Sequence, residues 1–476
     1  MIYSFKGQFF HGYKEYKYLI LASMDLPQAF LDRITKEWNS ETISKYRDSF
    51  QEIYHSIRLN PLKNLELDSF KEYNKIPWAS QGYYLSRRPH YTWDPAFQAG
   101  YYYAQEAGSM SIEFIFQKWR KQYQEKELIG LDACSAPGGK ATHILSLLDP
   151  DLDVLICNEP IPKRAQVLKD NLGKWGYINV LGNNLDFCKY GLPKNSLDFA
   201  VIDAPCSGEG MFRRDNRAVE EWSEENVKTC ASRQQNILDH ILPSLKPGGL
   251  IVYSTCTFNK DENESQLEYI TRHGADPFKI SDLNNFENAQ LTGKENAFRF
   301  IPGVTKSEGF YVSAYVIKKQ SEQSESKNKP RRIKTAKLDH VTVKNGCLIE
   351  EKGTYYAVSN RGYEVYKEAN LGLPIIAIGE EKKEKFIPHS NLGYSPFLLH
   401  NYPSVELDWE QAQKYLEGET IRVFCEKGIV LLQHESIPLG FGKSVGTRIN
   451  NLKEKGLRLI NSAPSKTLAD IRFPPS

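Results

Sequence analysis

The chain has 476 residues, 61 Lys and Arg against 59 Asp and Glu, a formal net charge of +2, and 40% hydrophobic residues. That length supports two or three domains with a substantial core; the near-neutral total excludes a polycation, and no apolar run reaches the roughly 18 residues of a membrane helix. Eight cysteines stand singly with no CxxC pair, which argues against a disulfide framework or a zinc site and for a reducing cytoplasm.

In chain order, the first 23 residues are aromatic and basic without helical or strand periodicity. Leu26 to about Leu67 reads as mostly helical, through LPQAFLDRITKEW and SKYRDSFQEIYHSI, and the aromatic-rich Gln81–Met110 segment follows. From about Glu127 strands alternate with helices. LIGLDA precedes KATHILSLL, DVLICN precedes IPKRAQVLKDNLGKWG, and INVLG, LDFAVIDA, a helical stretch around Cys230–Leu245 and GLIVYSTC continue the pattern. This alternation predicts a parallel sheet covered by helices on both faces. FRFIPG and GFYVSAYVIKK predict an antiparallel hairpin at the sheet edge. The polar QSEQSESKNKPRR reads as a linker. Beyond it, YYAVS, LPIIAIG, IRVFC and GIVLLQ supply a smaller, strand-rich domain. Lys318–Lys337 carries eight basic residues against two acidic, and Phe441–Ser476 seven against two; such patches bind phosphates even in a near-neutral chain.

The turn after the first strand is DACSAPGGKAT, Asp132–Thr142. A Walker A loop is excluded, because Ala141 follows Gly139-Lys140 and Cys134 stands where the first glycine belongs. A dinucleotide GxGxxG is absent. What remains is a tight turn of small residues whose backbone approaches a ligand closely, at the carboxyl end of the strands where open α/β sheets bind. About 20 residues on, Glu159 ends the second strand, where an acidic side chain accepts both ribose hydroxyls. S-adenosylmethionine, an adenosine-bearing ligand without pyrophosphate, suits both features. Two later strands each end in a cysteine, Cys206 in VIDAPCSGEG and Cys256 in VYSTCTF. A free cysteine is more often a packing residue, but Pro-Cys-Ser-Gly and Thr-Cys-Thr are turn chemistry. The residues alone leave open which cysteine attacks.

Taken in order over about Met24–Lys319, DACSAPGGK, CNEP, VIDAPCSGEGMFRRD and GLIVYSTCTFNKDENE resemble the Sun-type (NSUN) family of RNA cytosine-5 methyltransferases. RLN (Arg58–Asn60) and YYYAQEAGSM are similar to that family's N-terminal motifs. PLGFGKSVGTRINNLKEKGLRL, Pro438–Leu459, resembles the end of the bacterial RsmF-type 16S rRNA methyltransferases, which carry a PUA-like RNA-binding domain. The resemblance implies an α/β fold: a Rossmann-like class I methyltransferase sheet at 111–319, with an N-terminal helical, RNA-binding region at 24–110. A linker at 320–337 leads to a PUA-like α+β domain at 338–476. Because the resemblance begins near Met24, residues 1–23 are read as either a true extension or the product of a start codon assigned too early, the second reading favoured, and are expected to pack poorly.

The implied activity is methylation of C5 of a cytosine in RNA, 16S rRNA within the small subunit, by a cytoplasmic monomer using S-adenosylmethionine; no metal, DNA or membrane is expected. Cytosine C5 is a poor nucleophile until a thiolate adds at C6 and turns it into an enamine. By resemblance Cys256 is that thiolate and Cys206 assists breakdown of the adduct. Asp203 meets the cytosine N3/N4 edge near the cofactor's methionine end. Cys134, Ser135, Ala136, Pro137, Gly138, Gly139 and Lys140 form the cofactor turn, with Lys140 also reaching Asp203 or a substrate phosphate. Glu159 holds the ribose, Arg164 lies nearby, and Asp186 (or Asn184, if the loop is shorter) contacts the adenine. Tyr101–Tyr103, Arg213, Arg214 and the basic C-terminal tail are expected on RNA, whose target base must be splayed out to reach a thiol beside the cofactor. Two other readings are a tRNA substrate and a catalytically idle RNA-binding assembly factor; the presence of both cysteines and Asp203 speaks against the second.

Overall fold

The computed structural model describes residues 26–63, 73–280, 290–291, 295–318, 333–369 and 371–460. The expectations for residues 1–23 and for QSEQSESKNKPRR fall outside these. Two amphipathic helices, Gln28–Glu37 and Ser40–Asp48, open the described chain. Asn39 caps the second by accepting the Thr42 amide at 2.8 Å. The helical expectation across SKYRDSFQEIYHSI ends there: a short 3-10 turn closes at Gln51 and the chain becomes strand β1 (His55–Leu59). Pairing explains the switch. β1 is flanked by β2 (Gly82–Leu85) and β3 (Tyr102–Ala104), so its backbone is satisfied on both sides while Ile57 is fully buried; such tertiary context overrides local propensity.

The main sheet follows the predicted alternation. β4 (Ile129–Asp132), β5 (Val154–Asn158), β6 (Val180–Asn183), β7 (Leu197–Asp203) and β8 (Leu245–Thr255) are parallel and lie in the order β6-β5-β4-β7-β8. They read as near-continuous apolar runs because helices cover both faces. Leu131, Leu155, Ile156 and Phe199 are wholly buried, each stabilising the fold by roughly 1.5–3 kcal/mol. One close approach is glycine-dependent: a Cβ at Gly130 would lie 1.9 Å from the Phe199 ring. The chain winds outward from β4 to β6, then crosses to β7 on the other side of β4. This reversal opens a crevice at the carboxyl ends of β4 and β7.

Four more strands extend the sheet: β9 (Ala275–Pro277), β10 (Gln290–Leu291), β11 (Ala297–Phe300) and β12 (Phe310–Ile317). The predicted hairpin forms from β11 and β12, but β12 is not at the edge. It lies between β8 and β11, antiparallel to both. Its Phe310–Ala314 run is buried throughout, and a strand apolar on both faces needs neighbours on both sides.

Beyond Ile333 the chain builds a five-stranded antiparallel sheet within 335–388. A four-stranded sheet follows from Ser404–Glu406, Gly428–His434, Ile437–Ser444 and Ile449–Asn451. Helix Trp409–Glu417 packs against the latter, opened by a capping box between Asp408 and Gln411. Leu373–Pro374 reaches back to pair with β6 and so covers that edge of the main sheet. Of the four apolar runs, IRVFC alone makes no strand: Ile421 forms a single bridge to Ile449 and Arg422–Cys425 run irregularly. No helix among the described residues is long and apolar enough to cross a membrane.

Candidate active site

At the end of β4 the Asp132–Thr142 turn is stitched to β5. The Ser135 amide donates to the Asn158 carbonyl at 2.9 Å, and the Ser135 hydroxyl accepts the Asn158 amide at 3.0 Å while donating to the Asp132 carbonyl at 2.7 Å. Gly138 takes φ +112°, a conformation that glycine alone adopts cheaply, and turns the chain into helix Gly139–Leu145. Arg58 of the RLN motif braces that helix. It is 1% exposed, stacks on Trp175 at 4.4 Å, and donates to Thr142 Oγ1 at 2.7 Å and Gln105 Oε1 at 2.9 Å. The N-terminal sheet is thereby fixed against the turn.

A cavity of about 170 Å³ opens between Tyr103, Gln105 and the turn residues, with Lys140 and Asp203 in its lining. Lys140 Nζ lies 2.8 Å from Asp203 Oδ2, and Asp203 Oδ1 accepts the Ser254 hydroxyl at 2.8 Å. Burial works against the Lys140 charge, but Asp203 more than offsets it and holds the ammonium's pKa above the usual value. Asp132 is wholly buried beneath them, and neither of its carboxylate oxygens has a hydrogen-bond partner. Burial, reinforced by the neighbouring Asp203 charge, pushes Asp132 up to about 7. An orphaned carboxylate behind a glycine turn fits a ligand bearing a positively charged group, as S-adenosylmethionine does.

The remaining cofactor candidates separate into two groups. Glu159 is buried, accepts the Ile161 amide at 2.9 Å, and sits 3.5 Å from Arg164, which also donates to the Ala136 carbonyl at 3.0 Å. Glu159 and Arg164 are thus tied to the turn. Asp186 is not: its half-exposed carboxylate accepts the Cys188 amide at 3.1 Å and pairs with Lys189 at 3.2 Å, capping its own turn. Asn184 donates to the Glu159 carbonyl at 2.8 Å. It also lines a larger cleft of about 670 Å³ between helix Pro162–Trp175 and the C-terminal region, a cleft that includes none of the other cofactor candidates.

Parallel pairing of Asp203 with Ser254 sets the two cysteine loops side by side. Cys206 Sγ and Cys256 Sγ are 3.1 Å apart, and the Cys256 amide donates to Cys206 Sγ at 3.3 Å. The loops are cross-braced by two buried carboxylates. Glu209, from the Cys206 loop, accepts the Phe258 amide at 2.9 Å and the Trp222 indole at 3.0 Å, with Arg33 at 2.7 Å. Glu262, beyond Cys256, accepts the Ser207 amide and Gln234 Nε2, both at 2.9 Å, and Asn259 Nδ2 at 2.7 Å. The Gly210 amide closes the set on the Cys256 carbonyl at 2.8 Å, an approach that a Cβ at Gly210, 2.9 Å from that oxygen, would force apart. The Cys256 hydrogen bond, then burial, push the Cys206 thiol well above its ordinary range.

Sequence reasoning therefore found the turn, Asp203 and both cysteines, which the fold brings together. It missed Asp132, Glu209 and Glu262, although all three stand inside the quoted motifs; the available signal was a carboxylate among small turn residues beside a strand end. The expected RNA contact of Arg213 is corrected. Its guanidinium is buried against Glu308 at 2.7 Å and the Ser49 and Glu52 carbonyls, and Glu308 also engages Arg214 at 2.9 Å. Tyr102 is likewise a core residue, donating to Asp94 at 2.6 Å.

A parallel sheet with this strand order, an antiparallel β12 and a ligand turn after β4 defines a Rossmann-like methyltransferase fold. In keeping with it, the crystal structure of NSun6 from Pyrococcus horikoshii with SFG is similar at TM-score 0.51 and 19% identity, covering 62% of this chain and 99% of that one. A methyltransferase homolog protein from the same organism matches at TM-score 0.51 and 24% identity, over 63% and 99%. The 16S rRNA methyltransferase RsmB/F family model matches residues 121–316, the N-terminal domain of 16S rRNA methyltransferase RsmF matches 26–107, and the methyltransferase RsmF PUA domain matches 402–459. Ribosomal RNA small subunit methyltransferase F of Psychromonas ingrahamii is 30% identical over 90% of this chain and 96% of its own length, and that of Aliivibrio fischeri 29% over the same shares. The chain belongs to the RsmF family of 16S rRNA methyltransferases.

Proposed function

We propose that the protein transfers a methyl group from S-adenosylmethionine to C5 of a cytosine in 16S rRNA, as a cytoplasmic monomer, through a covalent bond between Cys256 and C6 of the base. The observation that carries this reading is the pair of thiols 3.1 Å apart beside Asp203, at the carboxyl ends of β7 and β8. The Cys256 hydrogen bond and burial raise the Cys206 thiol well above its ordinary range, and the family resemblance favours Cys256 as the attacking thiolate. Its sulfur bonds to C6 while the C5–C6 π electrons move to C5, which then takes up the methyl group. When bound, S-adenosylmethionine supplies that group from its sulfonium. Breakdown passes the C5 proton to water; the C5–H electron pair restores the C5–C6 double bond and the Cys256 thiolate leaves. We assign help in this step to Cys206.

Asp203, aligned by Lys140 and Ser254, takes the N3/N4 edge of the base. The turn Cys134–Lys140, Asp132 and Glu159 would hold the cofactor, with Arg164 positioning Glu159. Asp186 keeps the adenine assignment, its carboxylate being the accessible acidic group after β6. Regions 24–110 and 338–476 are assigned to RNA, flanking the methyltransferase unit at 111–319 and the linker at 320–337.

Radiolabelled methyl transfer to unmodified 16S rRNA and to total tRNA, with bisulfite sequencing of the products, tests the reading. Incorporation at a cytosine of 16S rRNA is expected. A folded protein that labels neither RNA, or labels tRNA alone, overturns it.

A further inference from the structure

IRVFC is the apolar run that forms no strand, and it ends with its aromatic residue in solvent. Val423 and Cys425 turn inward onto the cluster built around Leu416, Ile421 and Leu432. Between them Phe424 turns outward and is 85% exposed. Leaving a phenyl ring in water forgoes one of the larger available burial terms. The ring is held there by its surroundings. The Cys425 amide donates to the Gly446 carbonyl at 3.3 Å, Ser444 donates to the Cys425 carbonyl at 3.2 Å, and the Val445 amide to the Arg448 carbonyl at 3.0 Å. The irregular segment and the Ser444–Arg448 turn therefore form one fixed tip.

That tip is positively charged. Arg422, Lys427, Lys443 and Arg448 are all exposed, and Glu426 is the acidic residue among them. Lys443 lies opposite Ile429 on the paired strand, and the Lys427 stem runs along Gly446, where a Cβ would lie 3.6 Å from it. Among the described residues none of the four cations makes an ion pair, whereas Arg213, Arg214 and Lys140 are all committed to carboxylates. An exposed ring in the same segment and adjoining turn as uncommitted cations complements a flexible polyanion carrying aromatic faces: the cations track phosphates and the ring takes a base.

We infer that Phe424, together with Arg422, Lys427, Lys443 and Arg448 of the same segment and the paired strand and turn, is a base-stacking contact for an unpaired nucleotide of the RNA substrate. The inference rests on the RNA reading above and adds the single-stranded character of the segment gripped. It is independent of the thiol chemistry.

The test uses the full chain and a fluorescein-labelled single strand of about ten nucleotides, a length within the usual footprint of such a surface, compared with a blunt hairpin duplex by fluorescence anisotropy across a salt series. Phe424→Ala is expected to weaken the single strand about 5- to 150-fold, at the usual strength of one base stack, leave its salt slope unchanged, and barely alter the duplex. Phe424→Tyr should bind as the wild type does. Lys443→Gln with Arg448→Gln should reduce the single-strand salt slope by about 1.4, from two lost phosphate contacts. Phe424→Ala should unfold in urea at the wild-type midpoint, which checks the fold. Wild-type affinity of Phe424→Ala for the single strand, or an equal loss on the duplex, overturns the inference. Absence of methyl transfer by the wild type with Phe424-dependent binding intact would instead remove the catalytic reading and leave this one standing.

Discussion

The cysteine loops and the cofactor turn lie on adjoining strands, yet they treat buried charge in opposite ways. Around the cysteines each carboxylate is satisfied: Glu209 holds an amide, an indole and Arg33, and Glu262 holds an amide and two side-chain amides. Beneath the turn Asp132 is just as buried, and neither of its carboxylate oxygens has a hydrogen-bond partner. A satisfied network rigidifies its surroundings, whereas an unpaired buried group costs stability. The cysteine loops are thus finished by the protein itself, and the turn is left for a ligand to finish. On the proposed function, the geometry of the two sulfurs is set in advance and cofactor binding would relieve a standing cost.

The largest expected effects come from removing a sulfur from the finished side. Cys256→Ala should abolish both methyl transfer and covalent attachment, a loss of ~10⁴-fold or more, as for other deleted nucleophiles. Cys206→Ala keeps the attacking thiolate and removes the group assigned to breakdown. It should trap protein on RNA as an adduct that survives denaturing electrophoresis. The reverse pattern, with Cys206→Ala blocking adduct formation and Cys256→Ala permitting it, would exchange the two roles.

Much of this contrast was legible from the residues. The strand–helix alternation pointed to the parallel sheet because buried parallel strands are near-continuous apolar runs, as residues 154–157 are. The glycine turn was readable because Gly138 needs a left-handed backbone. What was not readable depends on partners distant in sequence. Arg213 looks like an RNA contact until Glu308, 95 residues on, claims it. Tyr54–Leu59 continues a helical pattern until two remote strands pair with it. Glu209 and Glu262 are polar loop residues until their loops meet across 50 residues. The order of the two thiols comes from family resemblance, since either cysteine suits the chemistry and either sulfur can donate in the hydrogen bond between them.

The unfinished side is tested through pH. An unfolded aspartate titrates near 3.9, whereas Asp132 in the fold is raised to about 7. The folded state therefore holds this proton more tightly. The stabilisation is full below about pH 4 and is lost as pH rises through about 7, a difference on the order of 4 kcal/mol. Asp132→Asn carries a neutral group at every pH, so it should remove that slope and make the ligand-free protein more stable than wild type at pH 8 by up to a few kcal/mol. The same substitution should weaken S-adenosylmethionine binding measured by calorimetry. Urea denaturation curves from pH 4 to pH 8 provide the check. A variant whose pH dependence matches wild type would show that Asp132 is not the unpaired group.

Glu262→Gln is the smallest and most selective change, because shape is kept and a single hydrogen-bond polarity is altered. Placing the amide oxygen at Oε2 preserves acceptance from the Ser207 amide and from Gln234. The new NH₂ then faces Asn259 Nδ2, formerly 2.7 Å from Oε1, and two donors meet. Asn259 cannot simply turn over, since its Oδ1 accepts the residue-262 amide at 2.9 Å. One donor is left unpaired at a cost of about 1–3 kcal/mol, with burial of a charge removed in partial compensation. Urea unfolding should therefore show a modest loss, with the Asp132 pH slope intact. Because Ser207 follows Cys206 directly, the effect on chemistry should appear in the adduct: breakdown slows relative to attack, and a transient protein–RNA species accumulates that wild type does not show. An equal slowing of both steps, with no accumulated adduct, would mean that the brace sets the stability of the loops and not the spacing of their sulfurs.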